Sequence, residues 1–181
     1  MTRPTVRDIL IALALAALIV AARLLPHPVN AAPALSVSLF AGFLFVGRRW
    51  MGLAIAAAGM LISDAFIGTY NPFYMALNYA LLATPTLAGA WLRPRPRVLP
   101  VAGASIGAAV FFFITSNFGV WAFGTDYPRT SAGLLDCYVK AIPFFKWSAL
   151  SALVYSAILF GGCVLMTWRT PRATAAAPVA A

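Results

Sequence analysis

The chain alternates apolar runs of membrane-crossing length with short, arginine-bearing connections, and this alternation restricts its fold more than any other feature. A helix needs about 20 residues to cross roughly 30 Å of hydrocarbon. Runs at 9–25, 34–47, 50–67, 73–92, 98–115 and 147–168 are long or nearly long enough. The second is short for a full crossing. Only 9% of residues are charged, against roughly 25% in a soluble domain. The sequence therefore predicts an all-α membrane protein, a bundle of six transmembrane helices with a short second helix. One long loop, 116–146, joins helices five and six. The expected organisation is a single domain over 1–169 and a disordered tail over 170–181, rich in Ala, Pro and Thr.

The basic residues indicate sidedness. Arg3, Arg7, Arg48, Arg49, Arg93, Arg95, Arg97, Arg169 and Arg172 fall on one side of a six-span chain. Arg23, Arg129, Lys140 and Lys146 fall on the other. Counting the Asp residues, the first side carries +8 and the second +1 of the net +9. The positive-inside bias places the first side, with both termini, in the cytoplasm. The expected location is an inner (cytoplasmic) membrane. Bases set between apolar runs mark topology, and nucleic acid is not an expected partner. The first segment also has the layout of a signal peptide, with Val29-Asn30-Ala31 as a cleavage site. Its apolar run is long for one, so an uncleaved span is preferred.

The polar residues gather on the side opposite the arginines. The first connection there holds His27 and Asn30, between and after Pro26 and Pro28. The second holds Ser63, Asp64 and Asn71, and the third Asn117, Trp121, Asp126, Tyr127 and Tyr138. Connections on a helical scaffold are where binding residues tend to sit. Asp64 falls about 21 Å along its helix, near the boundary, where a carboxylate costs less than at mid-membrane. It reads either as a ligand contact or as a helix-end group bonded to Ser63 or paired with Arg23. His27 reads either as a hydrogen-bonding group of an outward cavity or as an interfacial side chain. Asn30, Asn71 and Asn117 read either as ligand contacts or, the commoner role of such residues, as turn formers. Trp121, Tyr127 and Tyr138 suit stacking on a planar ligand or anchoring at the interface.

Several chemistries find no support. Gly103-Ala104-Ser105-Ile106-Gly107 matches the nucleophile-elbow pattern. Its Ser105 lies near the opposite end of the bundle from His27, the only histidine, so it lacks a base. Cys137 and Cys163 form no zinc pattern, and no phosphate-binding loop is present. An enzyme, a metal centre and a bound cofactor are not expected. Small residues Ala12, Ala16, Ala17 and Ala21 on the first span offer a face for docking a partner helix.

Three stretches carry a resemblance. They are Arg23 to Asn30 with Leu39-Phe40-Ala41-Gly42, then Ser63-Asp64-Ala65-Phe66-Ile67-Gly68, and Ser116-Asn117-Phe118-Gly119-Val120-Trp121 through Cys137-Tyr138 to Ile142-Pro143-Phe144-Phe145. They resemble an uncharacterised bacterial family of small multi-pass membrane proteins labelled as transport proteins. That family is similar to the S components of energy-coupling-factor (ECF) transporters. The resemblance implies capture of a small solute, vitamin-like or a metal ion, from the outer face through connections one, three and five. It implies a transmembrane coupling protein with ATPase subunits as partners; the long fifth loop is itself expected to act as a lid. A cobalt-ligating cysteine near the third loop is absent, so cobalamin is not implied. The alternative is a structural or accessory membrane protein whose outer loop binds another protein.

Overall fold

The computed structural model describes residues 3–28, 30–69, 71–93 and 96–168, with side chains given through residue 166. The expected tail 170–181, and Arg95, Arg169 and Arg172 of the charge pattern, lie outside them. All described secondary structure is helical. Helix α1 spans Val6–Leu24, α2 Ala34–Leu44, α3 Arg49–Ile67, α4 Pro72–Leu81, α5 Ala83–Gly89, α6 Val98–Phe123 and α7 Ser131–Trp168. Single turns of 3-10 helix at Val46–Arg48 and Ala90–Leu92 lead out of α2 and α5.

Segments Val46–Ile67, Val98–Phe123 and Ser131–Met166 are long and apolar enough to cross a membrane. Helix α1 has a similar length but carries Arg7, Asp8 and Arg23. It begins in a capping box: Thr5 Oγ1 accepts from the Asp8 backbone N–H, and the Asp8 carboxylate accepts from the Thr5 N–H.

Helix α2 is the centre of the packing. Its 11 residues cover about 16 Å, roughly half the hydrocarbon depth. Every residue from Ser36 to Phe43 is buried, as in an enclosed helix, and the buried Ser36 hydroxyl donates to Ala152 O of α7 at 2.9 Å. Phe40 and Phe43 pack against Phe160 of α7, with ring centroids 5.0 and 5.2 Å apart. Two glycines let α5 lie against α2 at backbone distance. A Cβ at Gly42 would collide with the Thr86 carbonyl oxygen, and one at Gly89 with the Leu39 carbonyl oxygen. This is the small-residue contact that lets helices approach closely in a bilayer.

The fourth apolar run, expected as one span over 73–92, is broken instead. It divides at Leu82 into α4, α5 and a 3-10 turn. Pro85 has no N–H to give to the carbonyl of Leu81. The Thr84 hydroxyl supplies that bond at 2.8 Å, and Thr86 Oγ1 donates to Leu82 O at 3.1 Å. Hydropathy sees only an uninterrupted apolar run and misses the break.

The expected long loop between the last two helices is also corrected. Helix α6 continues to Phe123 and α7 begins at Ser131, which leaves only residues 124–130 between them. The polar residues that suggested a loop decorate helix ends. Asn117 Nδ2 bonds back to the Phe113 carbonyl at 2.8 Å, and Lys140 pairs with Asp136 one turn away at 2.8 Å. Pro143 lies inside α7, where it removes one bond, to Val139 O, without ending the helix. At 38 residues α7 is about 57 Å long and exceeds any bilayer's hydrocarbon depth. A lid made of a long loop is therefore excluded; the fifth connection is a helical hairpin.

The bundle has two chemically distinct ends. At one, Arg48 pairs with Asp8 at 2.5 Å. There Arg93 donates to the Phe43 and Leu44 carbonyls at 2.8 and 3.0 Å. Arg93 thereby satisfies the exposed C-terminal carbonyls of α2. At the other end lie the last turns of α1 and α3, the start of α4 and the α6–α7 connection. The first is called the basic end below, the second the polar end.

Candidate functional site

Arg23 stands in the last turn of α1 and reaches across to α3. Its Nη2 donates to Asp64 Oδ1 at 2.6 Å and its Nη1 to Ser63 Oγ at 2.5 Å. Ser63 passes its own proton to the carbonyl of Gly59 or Met60, at 2.8 or 2.9 Å. The second carboxylate oxygen of Asp64 accepts from the Tyr79 hydroxyl of α4. Asp64 is only 2% exposed, so its charge is removed from solvent and survives there because both oxygens are occupied. The pair joins α1, α3 and α4 in one hydrogen-bonded unit and is locally neutral.

Beside this unit lies a polar cavity. One chamber of about 230 Å³ is bounded by Arg23, Met60, Leu82 and Ser151. A second of about 240 Å³ is bounded by Tyr74, Ser116, Asn117 and Phe145. Asn30, Asn78, Phe112 and Ser148 line both, so the chambers meet at these four side chains. Asn30 reaches the cavity from a left-handed backbone conformation, φ 66°, which asparagine tolerates better than most residues. The preceding Pro28 closes that turn by accepting from the Ala31 N–H at 3.0 Å.

The walls supply amide donors and acceptors, serine hydroxyls, an aromatic face and a charge-compensated guanidinium. Groups of this kind are able to hydrogen-bond a small polar molecule, and Phe112 adds an apolar face. Among the described residues no three His, Cys, Asp or Glu side chains converge in a way that could hold a metal.

The residues expected at the site separate into groups. Asn30 and Asn117 line the cavity. Asp64 stands behind the wall and holds Arg23 in it; of its two expected helix-end partners it pairs with Arg23, while Ser63 bonds to Arg23 and not to Asp64, whose second oxygen takes Tyr79 instead. The other six make local contacts outside the two chambers. His27 is exposed and its Nδ1 donates to the Leu25 carbonyl at 2.7 Å. Asn71 caps α4 by accepting from the Phe73 N–H at 2.9 Å. Trp121 Nε1 donates to Pro128 O at 3.0 Å, and the Tyr138 hydroxyl to Ile114 O at 2.7 Å. Tyr127 lies under the Lys140 ammonium at 5.4 Å, and Asp126 is exposed in the connection. On α1, Ala12 and Ala16 pack against the core, whereas Ala17 and Ala21 are exposed.

Arg23, Asn78, Ser148 and Ser151 were not singled out as site residues by the sequence. A signal for them existed. Asn78 is an amide inside an otherwise apolar run, where a polar group is costly unless it has a use. Ser148 and Ser151 stand three apart on one face of α7.

No curated protein and no solved structure matches this chain. Residues 4–175 match the model of a family of unknown function, DUF6580, and the chain belongs to that family.

Proposed function

We propose that this chain is a membrane-embedded receptor for a small solute, of the S-component type, and that the solute binds in the two joined chambers at the polar end. The observation that carries this reading is the convergence of Asn30, Asn78, Asn117, Ser148 and Arg23 on one cavity, with Asn117 and Ser148 standing on helices α6 and α7, which are long and apolar enough to cross a bilayer. The amides and hydroxyls that line the cavity are groups able to hydrogen-bond a small polar ligand.

The charge pattern supports a six-segment chain with the basic end in the cytoplasm of an inner membrane and the cavity facing outward. In that arrangement α2 and the broken α4–α5 pair fill the second and fourth segments without each crossing as a single straight helix. Transport would then depend on a partner, because no phosphate-binding loop is present in the sequence. A coupling protein with ATPase subunits fits this need, and the exposed Ala17 and Ala21 of α1 offer a contact for it.

The test is extraction from the native membrane in mild detergent, followed by identification of what co-purifies. An ATPase pair with a transmembrane coupling protein supports the reading. A stable association with a single non-ATPase protein through the α6–α7 connection supports an accessory role instead.

A further inference from the structure

A second cavity lies between α6 and α7 on the basic side of the bundle, far from the polar chambers in chemistry. It is a groove of about 770 Å³, bounded by Arg97 at its mouth and by Ser105, Leu153, Ser156, Ala157 and Leu165 along its walls. The two serines are nearly the only polar groups inside it, and they consume each other: their hydroxyls meet at 2.8 Å, with Val101 O accepting from Ser105 at 2.8 Å. The groove therefore presents an apolar surface, which water fills poorly.

Its dimensions select an occupant. From Leu165 to Leu153 the groove follows α7 for 12 residues, about 18 Å. That is close to one leaflet, about half of the roughly 30 Å of hydrocarbon. A transmembrane partner helix would need a groove over the whole depth. One acyl chain needs only its own leaflet. At the mouth, Arg97 is exposed and makes no side-chain hydrogen bond or ion pair among the described residues. This contrasts with Arg23, Arg48 and Arg93, which are all engaged. An uncommitted guanidinium over an acyl-sized apolar groove matches a phosphate over a fatty chain.

We propose that this groove is a binding site for an anionic phospholipid of the leaflet at the basic end, with one acyl chain between α6 and α7 and the headgroup phosphate on Arg97. The site is independent of the solute cavity and stands or falls separately from it.

The test is native mass spectrometry of the full chain released from nanodiscs of equimolar phosphatidylcholine and phosphatidylglycerol. The expected result is one retained lipid, with phosphatidylglycerol favoured about fivefold. Arg97→Gln, an exposed change that breaks no internal contact, should bring the ratio near one. Ala157→Leu should displace the lipid from an otherwise folded protein, by filling the groove. Equal retention of both lipids by the unaltered chain, no retained lipid, a dimer in place of the lipid, or undiminished retention in Ala157→Leu would each overturn the proposal.

Discussion

The Arg23 guanidinium and the Asp64 carboxylate, 41 residues apart in sequence, meet at 2.6 Å with Asp64 almost wholly buried. This pair fixes the polar end of α1 to that of α3 and sets Arg23 in the cavity wall. Removing Arg23 leaves Asp64 charged and buried, at a cost of about 3–5 kcal/mol, and removing Asp64 leaves the part-buried Arg23 without its counter-charge. Asp64→Ala is therefore expected to lower the melting temperature sharply. The double variant Arg23→Met/Asp64→Leu should recover much of the loss, because no isolated charge remains. Thermal unfolding of the single and double variants in detergent measures the coupling. Additive losses would mean that the pair is not a unit.

The close approach of α2 and α5 makes a sharper packing prediction. Gly42→Ala drives a methyl group into the Thr86 carbonyl and should destabilise by about 1–3 kcal/mol or more. Gly47→Ala, where a Cβ has nothing within 4 Å, serves as the comparison and should be near neutral. Equal melting temperatures for the two variants would contradict the backbone contact.

At the basic end the prediction concerns pH. The Thr5 N–H and hydroxyl, together with Arg48, hold the Asp8 carboxyl down from 3.8 to about 2. A lowered carboxylate pKa means stabilisation that is fully present above about pH 4 and is lost as pH falls toward 2. The protection factors of the first-turn amides of α1, corrected for intrinsic exchange at each pH, should fall across that window in the unaltered chain. Asp8→Asn should show fast exchange already at neutral pH and little further change. Identical pH profiles would show that the box does not hold the helix end.

Some of this architecture was legible from the residues alone, and the failures have physical causes. Helical periods and apolar runs are local properties, so α1, α2 and α3 fall close to their expected positions, and α6 starts where expected but runs eight residues further. The short α2 was visible in its length. The break at Leu82 was not, because Thr84 repairs the bond that Pro85 removes and hydropathy ignores both. The supposed long loop failed because polarity was taken for irregularity. Asn117, Asp136 and Lys140 are polar residues on helices that outrun the apolar zone. At the cavity, Asn30 and Asn117, which the sequence places in connections on the polar side, line the walls. Asn78 and Ser148 required knowing which faces of α4 and α7 turn toward each other, a tertiary fact that no spacing encodes.

The central claim is that the cavity shared by Asn30, Asn78, Phe112 and Ser148 holds a small polar solute. Its most direct test is native mass spectrometry of protein drawn gently from its own membrane, beside an Asn78→Leu/Ser148→Leu variant and a Trp121→Ala variant. The account predicts a retained molecule, lost from the double variant and kept by Trp121→Ala, whose side chain lies outside both chambers. A chain that carries no small molecule, or one that survives the double substitution, would contradict it.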